Sequence, residues 1–108
     1  MPEMNFREAV ERAVQIRKSY HQLEKRYHGQ EWTVTEDALA FLTDAGLVGR
    51  LVMAEQGRWP DGGATTIELE HKLGECLWWL IVLAERMQLD SCQALQNFLT
   101  KTEQQLRE

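Results

Sequence analysis

Acidic residues stand on two stretches of this 108-residue chain where a helix would align them. Asp44 lies on the first; Glu68, His71, Lys72 and Glu75 lie on the second. Residues three or four apart share a helix face, so the second group runs along one side. If the two stretches are antiparallel neighbours, both groups point into one groove. Carboxylates converging from two helices make an oxygen-rich site of the kind that holds Mg²⁺ or Mn²⁺. In one arrangement Glu68, His71 and Glu75, at i, i+3 and i+7, face Asp44 and supply carboxylates and an imidazole; the plainer reading of that spacing is a solvated face.

Other chemistries lack their residues. The chain has no glycine-rich phosphate loop, no Cys-x-x-Cys and no Gly-x-Ser-x-Gly elbow. Cys76 opens the most apolar run of the chain, where a thiolate is disfavoured. No side chain is assigned a catalytic role.

The elements that must position these residues read as helices. Asn5 with Glu8 has capping-box spacing and opens the first. Phe6, Ala9, Ala13, Ile16, Tyr20, Leu23 and Tyr27 then recur at alternating steps of three and four, the a/d seam of a helix closed by Gly29. Thr33 with Glu36 opens a second helix, Val34 to Glu55, stopped at Gly57, with Ala38, Phe41, Leu42, Ala45, Val48, Leu51 and Val52 as its apolar positions. Gly46 and Gly49 lie inside it, where glycine costs about 1 kcal/mol relative to alanine, so close approach by another helix, or else by a ligand, is expected there. Arg58 to Ala64 reads as a loop rich in turn residues. Thr65 with Glu68 opens the third helix, reaching about Gln88. Asp90 or Ser91 caps a fourth, with Cys92, Leu95, Phe98, Leu99, Thr102 and Leu106 facing inward. No stretch alternates with period two for the length of a strand. The prediction is one all-α domain over residues 1–108, a four-helix bundle.

Cys76 to Ala84 is nine apolar residues in a row, and a helix apolar all round is normally buried on all sides. So short a chain has few ways to bury it, and sharing it with a second copy is one. A homodimer with a shared helical core is the expectation, a dimer of dimers its extension, with Trp78 and Trp79 in the core or between subunits. The net charge of −5 and the lack of a basic patch interleaved with aromatics argue against nucleic acid. The opening residues are too charged for a signal peptide, and nine apolar residues fall short of the roughly 20 that span a bilayer. Two reduced, buried thiols in a soluble, cytoplasmic protein without membrane contact complete the picture.

The segment from Trp32 onward, with the first helix matching more loosely, resembles the MazG-like branch of the all-α NTP pyrophosphatase superfamily. That family carries Glu-x-x-Glu on one helix and Glu-x-x-Asp on the next, in contexts such as EEVGEL and EELGDVLWYL. Here Thr43-Asp44-Ala45-Gly46-Leu47-Val48 corresponds to the first and His71-Lys72-Leu73-Gly74-Glu75-Cys76-Leu77-Trp78 to the second. The glycines, the Leu-Trp, the following Leu83-Ala84 and the acidic-capped last helix also match.

The resemblance implies an Mg²⁺- or Mn²⁺-dependent pyrophosphohydrolase that converts a nucleoside triphosphate to the monophosphate and pyrophosphate, and a dimer that buries its central helices. Its four metal-binding carboxylates fall on Asp44, Leu47, Lys72 and Glu75. Leu47 cannot bind a cation and Lys72 repels one, so the nominal charge drops from −4 to −1. Unit charges ~4 Å apart interact by about 4 kcal/mol at an effective dielectric near 20. The metal site is therefore read as degenerate, with the Lys72 ammonium bridging Asp44 and Glu75 in place of a metal. The expected function is a non-catalytic or weakly active nucleotide-binding or regulatory homologue. The alternatives are an active enzyme using the shifted site, or a ligand-free helical dimerisation domain. Arg50, Arg58 and Lys101 are candidates for contacting phosphates, His71 for facing them, and Trp32 or Trp59 for stacking on a base.

Overall fold

A computed structural model describes residues 3–59 and 66–107. The described residues form four helices and no strand: α1 (Phe6–His28), α2 (Val34–Glu55), α3 (Thr66–Arg86) and α4 (Ser91–Arg107). Among them, no helix is long and apolar enough to cross a membrane. The expected pairing of Thr65 with Glu68 and most of the loop from Arg58 to Ala64 lie outside the described residues.

The helix ends follow their capping residues. Asn5 Oδ1 accepts from the Glu8 backbone N–H, and Gly29, at φ 83°, closes α1. Thr33 and Glu36 exchange both bonds of a capping box at the start of α2. Asp90, rather than Ser91, caps α4 by accepting from the Gln93 N–H at 2.9 Å. α2 ends in a Schellman motif at Gly57, with Arg58 N–H donating to the Met53 carbonyl. α3 stops at Arg86, short of the expected Gln88, because Gln88 adopts φ 61° and closes an equivalent motif, with Leu89 N–H on the Ala84 carbonyl. A non-glycine residue is uncommon in that conformation.

The chain divides into two compact units, Trp32–Leu80 and the combination of Met1–Glu31 with Ile81–Glu108. In the first, α2 and most of α3 pair antiparallel: Thr66 at the start of α3 bonds Glu55 at the end of α2, while Asp44 is reached from Lys72 and Trp79 further along. The inward line of α2 is Val34, Asp37, Phe41, Asp44, Val48 and Leu51, at steps of three and four. Ala38, Leu42 and Val52, expected inside, are exposed. The seam runs one residue earlier than the apolar pattern suggests because two aspartates, seven residues apart, belong to it; Asp37 is fully buried at 0% exposure. Gly46 and Gly49 meet nothing within 4 Å of the position a Cβ would take, so no described element makes the close approach expected there.

The other unit contains α1, the end of α3 and α4. Here the expected seam is also corrected. Ala13 and Arg17 are the buried residues of α1, flanked by the half-buried Val10, Val14, His21 and Glu24. Ile16, Tyr20, Leu23 and Tyr27 are 45 to 69% exposed. The physical reason lies in Arg17 and Glu24. Seven residues apart, they occupy one face, and the Arg17 guanidinium donates to Glu24 at 2.8 and 3.3 Å, so a charged line turns inward with its charges paired. α4 has no buried residue; of its expected inward positions only Thr102 is half-buried, and Cys92, Leu95, Phe98, Leu99 and Leu106 are exposed. Cys92 therefore departs from the expected pair of buried thiols, and Cys76 is half-buried; both are free.

The apolar run of α3 is covered on one side only. Val82 and Trp79 are buried at 1% and 6% exposure, whereas Leu77 and Leu80, with Leu73 just before the run, are 47 to 63% exposed.

Candidate functional site

The groove between α2 and α3 brings Asp44, Lys72 and Glu75 together, as the sequence suggests. Asp44 sits on the inward seam of α2, and its side chain is largely covered. Lys72 and Glu75 are one turn apart on α3, so both extend toward the same point. Lys72 Nζ donates to Glu75 Oε1 at 2.7 Å and to Asp44 Oδ1 at 3.2 Å. The other Asp44 oxygen accepts from Trp79 Nε1 at 2.9 Å. Trp79 was expected only as core or interface; its indole N–H, a donor with no acceptor capacity, also fixes the carboxylate. Both Asp44 oxygens thus have a donor from α3.

The electrostatics agree with the geometry. The Lys72 pKa is raised above 10.5, chiefly by its hydrogen bond to Glu75, with Asp44 adding to it and burial opposing. Burial pushes the neighbouring Cys76 thiol up, and the Asp44 and Glu75 charges push it the same way. An ammonium shared by two carboxylates leaves the trio at a nominal −1. Such a set does not fit a divalent hard cation, which requires several anionic oxygens free to turn toward it.

The remaining candidates are placed separately. Leu47, one turn beyond Asp44, is exposed and offers no ligand atom. Glu68 and His71 are exposed. Among the described residues no three His, Cys, Asp or Glu side chains gather closely enough to hold a metal, so the shifted set of Asp44, Glu68, His71 and Glu75 is not assembled as a cluster. Arg50 stacks over the Trp59 ring at 4.5 Å, a cation–π contact that joins a phosphate candidate to a base-stacking candidate. Trp32 and Arg58 are exposed in the same unit; Lys101 is exposed on α4 in the other.

Sequence reasoning missed a second polar cluster. Glu31, in the link after α1, faces three cationic or potentially cationic groups: Lys25 at 3.5 Å, His21 at 3.8 Å and Arg86 at 3.9 Å. His21 Nε2 is buried and meets no hydrogen-bond partner among the described residues. Burial lowers the His21 pKa below 6.5, and Arg17 adds to that. Spacing could have exposed part of this, since Arg17, His21 and Glu24 repeat at steps of four and three. Each is polar, however, and the apolar seam beside them has the same period.

No protein-family model, curated protein or solved structure matches the chain.

Proposed function

We propose that the protein is a non-catalytic, self-associating homologue of the MazG-like all-α NTP pyrophosphatases, in which the Lys72 ammonium takes the place of the metal. The observation that carries this reading is Lys72 Nζ, held between Asp44 Oδ1 and Glu75 Oε1. An ammonium supplies positive charge but has no open coordination position. It cannot lower the pKa of a bound water to make a nucleophile as a metal does. The residues that would serve a nucleotide are then those for binding alone: Arg50, Arg58 and Lys101 toward phosphates, and Trp32 or Trp59 toward a base.

Self-association is supported by the apolar surface a single chain leaves open, including Leu77 and Leu80 within the run Cys76 to Ala84. Monomeric proteins seldom expose large contiguous apolar patches. The same observation favours a second reading, a ligand-free helical dimerisation module. Nucleotide titration separates the two, because only the first predicts saturable binding.

The test is pyrophosphate release from common nucleoside triphosphates and deoxynucleoside triphosphates with Mg²⁺ or Mn²⁺. The expected result is no metal-dependent turnover above background. Robust turnover would establish the competing reading, an active pyrophosphohydrolase using Mg²⁺ or Mn²⁺ at a shifted site.

A further inference from the structure

We infer that the second copy in the homodimer docks on one side of the α2–α3 pair, placing α2 of each copy against α3 of the other in a four-helix core. The inference rests on the self-association reading above and names the surface involved. The α2 seam through Phe41, Asp44 and Val48 faces the α3 line through Lys72 and Trp79. One residue further along each helix, about 100° round, a second line follows. It comprises Ala38, Leu42, Ala45, Gly49 and Val52 on α2, and Leu69, Leu73, Cys76 and Leu80 on α3, none of them charged. Antiparallel helices are related by a local two-fold normal to their plane, so both lines emerge on the same side of the pair. Ala38, Leu42, Gly49, Val52, Leu73 and Leu80 are exposed there, and a Cβ on Gly49 would meet nothing within 4 Å. Ala38, Leu42 and Val52 have the spacing of an inward face, yet their own chain leaves them open.

Area and size select a second copy as the occupant. Leu42, Val52, Met53, Leu73, Leu77 and Leu80 are the large exposed side chains of this side and its outer rim. At roughly 100 Å² each they offer about 600 Å² per copy, and stable dimers bury about 600–1,000 Å² per partner. The contacts of Lys72 with Asp44 and of Thr66 with Glu55 set the levels of the two helices. A two-fold parallel to the helices involves no translation along them, so α2 meets α3 of the second copy at those same levels. Gly49 then stands opposite Leu69, Ala45 opposite Leu73, Leu42 opposite Cys76 and Ala38 opposite Leu80. Each pair sets a large side chain against a small one, with glycine where backbone is approached closely. Pairing each helix with its own copy would set the larger α3 line on itself and the smaller α2 line on itself, giving gaps of unequal width. A side without charge also meets its own copy with no like charges opposed.

Sedimentation velocity on the full chain tests this with Gly49→Leu and Leu73→Asp on the proposed side. Leu23→Asp and Phe98→Asp, at exposed apolar positions of α1 and α4, serve as controls. The wild-type protein should dimerise, the first two variants should each weaken the dimer at least about tenfold, and the controls should leave it unchanged. Oxidation tests the placement of α2 on α3. Leu42→Cys/Cys92→Ser should form a covalent dimer through Cys76 of the second copy on a non-reducing gel, and adding Cys76→Ser should abolish it. A wild-type dimer that Gly49→Leu and Leu73→Asp leave intact would overturn the inference while the homodimer reading stands, and so would a covalent dimer that survives Cys76→Ser. Controls that weaken the dimer as strongly would overturn it too, by moving the interface to α1 or α4. A wild-type protein that stays monomeric at its highest soluble concentration would remove the homodimer reading itself, and this inference with it. If Gly49→Leu or Leu73→Asp loses its helical circular dichroism, the oxidation pair decides, and no covalent dimer from Leu42→Cys/Cys92→Ser would overturn the inference.

Discussion

Lys72 on α3 and Asp44 on α2 are 28 residues apart in sequence and 3.2 Å apart in space. The contact fixes the pairing of the two helices and neutralises the aspartate that the α2 seam turns inward. Glu75, one turn further on, shares the ammonium, and Trp79, one turn beyond that, holds the second Asp44 oxygen. A metal site built from this groove would need those oxygens to face a common centre. Here they face protein donors, and the cation is covalently attached.

Lys72→Met should therefore destabilise the fold, because Asp44 and Glu75 lose the cation between them. Hydrogen bonds to charged groups contribute about 1.5–3 kcal/mol when largely shielded from water. With Lys72 partly solvent-accessible, a loss near the lower end, roughly 1–2 kcal/mol, is expected in urea unfolding. Combined with Asp44→Asn, the two effects should fall short of additivity by more than about 0.5 kcal/mol, the mark of a direct contact.

The pH dependence of stability should have two components of opposite sense. Lys72 has its folded pKa raised above 10.5, so its contribution is fully present below 10.5 and is lost as pH rises through the folded value. His21 has its folded pKa lowered below 6.5. Between the folded value and 6.5 the unfolded chain binds more protons, so stability falls as the solution is acidified through that window. Denaturant unfolding across both ranges should show the alkaline loss flattened in Lys72→Met and the acid loss flattened in His21→Gln.

Arg17 and Glu24 form a buried ion pair, and breaking it differs from replacing it. Arg17→Ala removes one member of a largely buried ion pair, at a cost of about 3 kcal/mol or more. Changing both to apolar residues, Arg17→Met with Glu24→Leu, should recover most of that loss, as measured by thermal and urea unfolding. Recovery would establish that the pair directs which face of α1 turns inward rather than holding the unit together.

The two thiols should differ in reactivity. Cys92 is exposed on α4, whereas Cys76 is half-buried beside Asp44 and Glu75 with its pKa raised. Thiolate fraction and access both control attack on a disulfide reagent. Ellman's reagent should label Cys92 first and Cys76 at least about tenfold more slowly, with the difference closing in denaturant.

Much of the fold was legible because its signals are local. Asn5, Gly29, Thr33 with Glu36, and Asp90 act on backbone groups within a turn or so of themselves, and helix ends follow from them. The contact of Lys72 with Glu75 was legible too, since helical spacing and opposite charges specify it, whereas its contact with Asp44 on another helix was expected only from the resemblance to the MazG-like pattern. The inward faces were not. The seam of α1 was read from Ile16, Tyr20 and Leu23, yet the unit buries Arg17. A charged residue turns inward when a partner neutralises it, and partnership is a tertiary fact. Asp37 defeats pattern reading for the same reason: at the fourth position of α2 it resembles an ordinary acidic residue favoured by the helix dipole, and nothing local marks it as fully buried.

The most direct test of the central claim, that Lys72 stands in for a metal, is calorimetric titration of Mn²⁺ into the wild-type protein and into Leu47→Glu/Lys72→Glu. Leu47 is exposed, so its replacement need not disturb packing, and the double change places a carboxylate at the two positions where the MazG-like pattern has one and this chain does not. Wild type is predicted to give no site-specific binding heat, and the double variant to bind Mn²⁺ in the groove. Equal Mn²⁺ binding by both proteins would contradict the account.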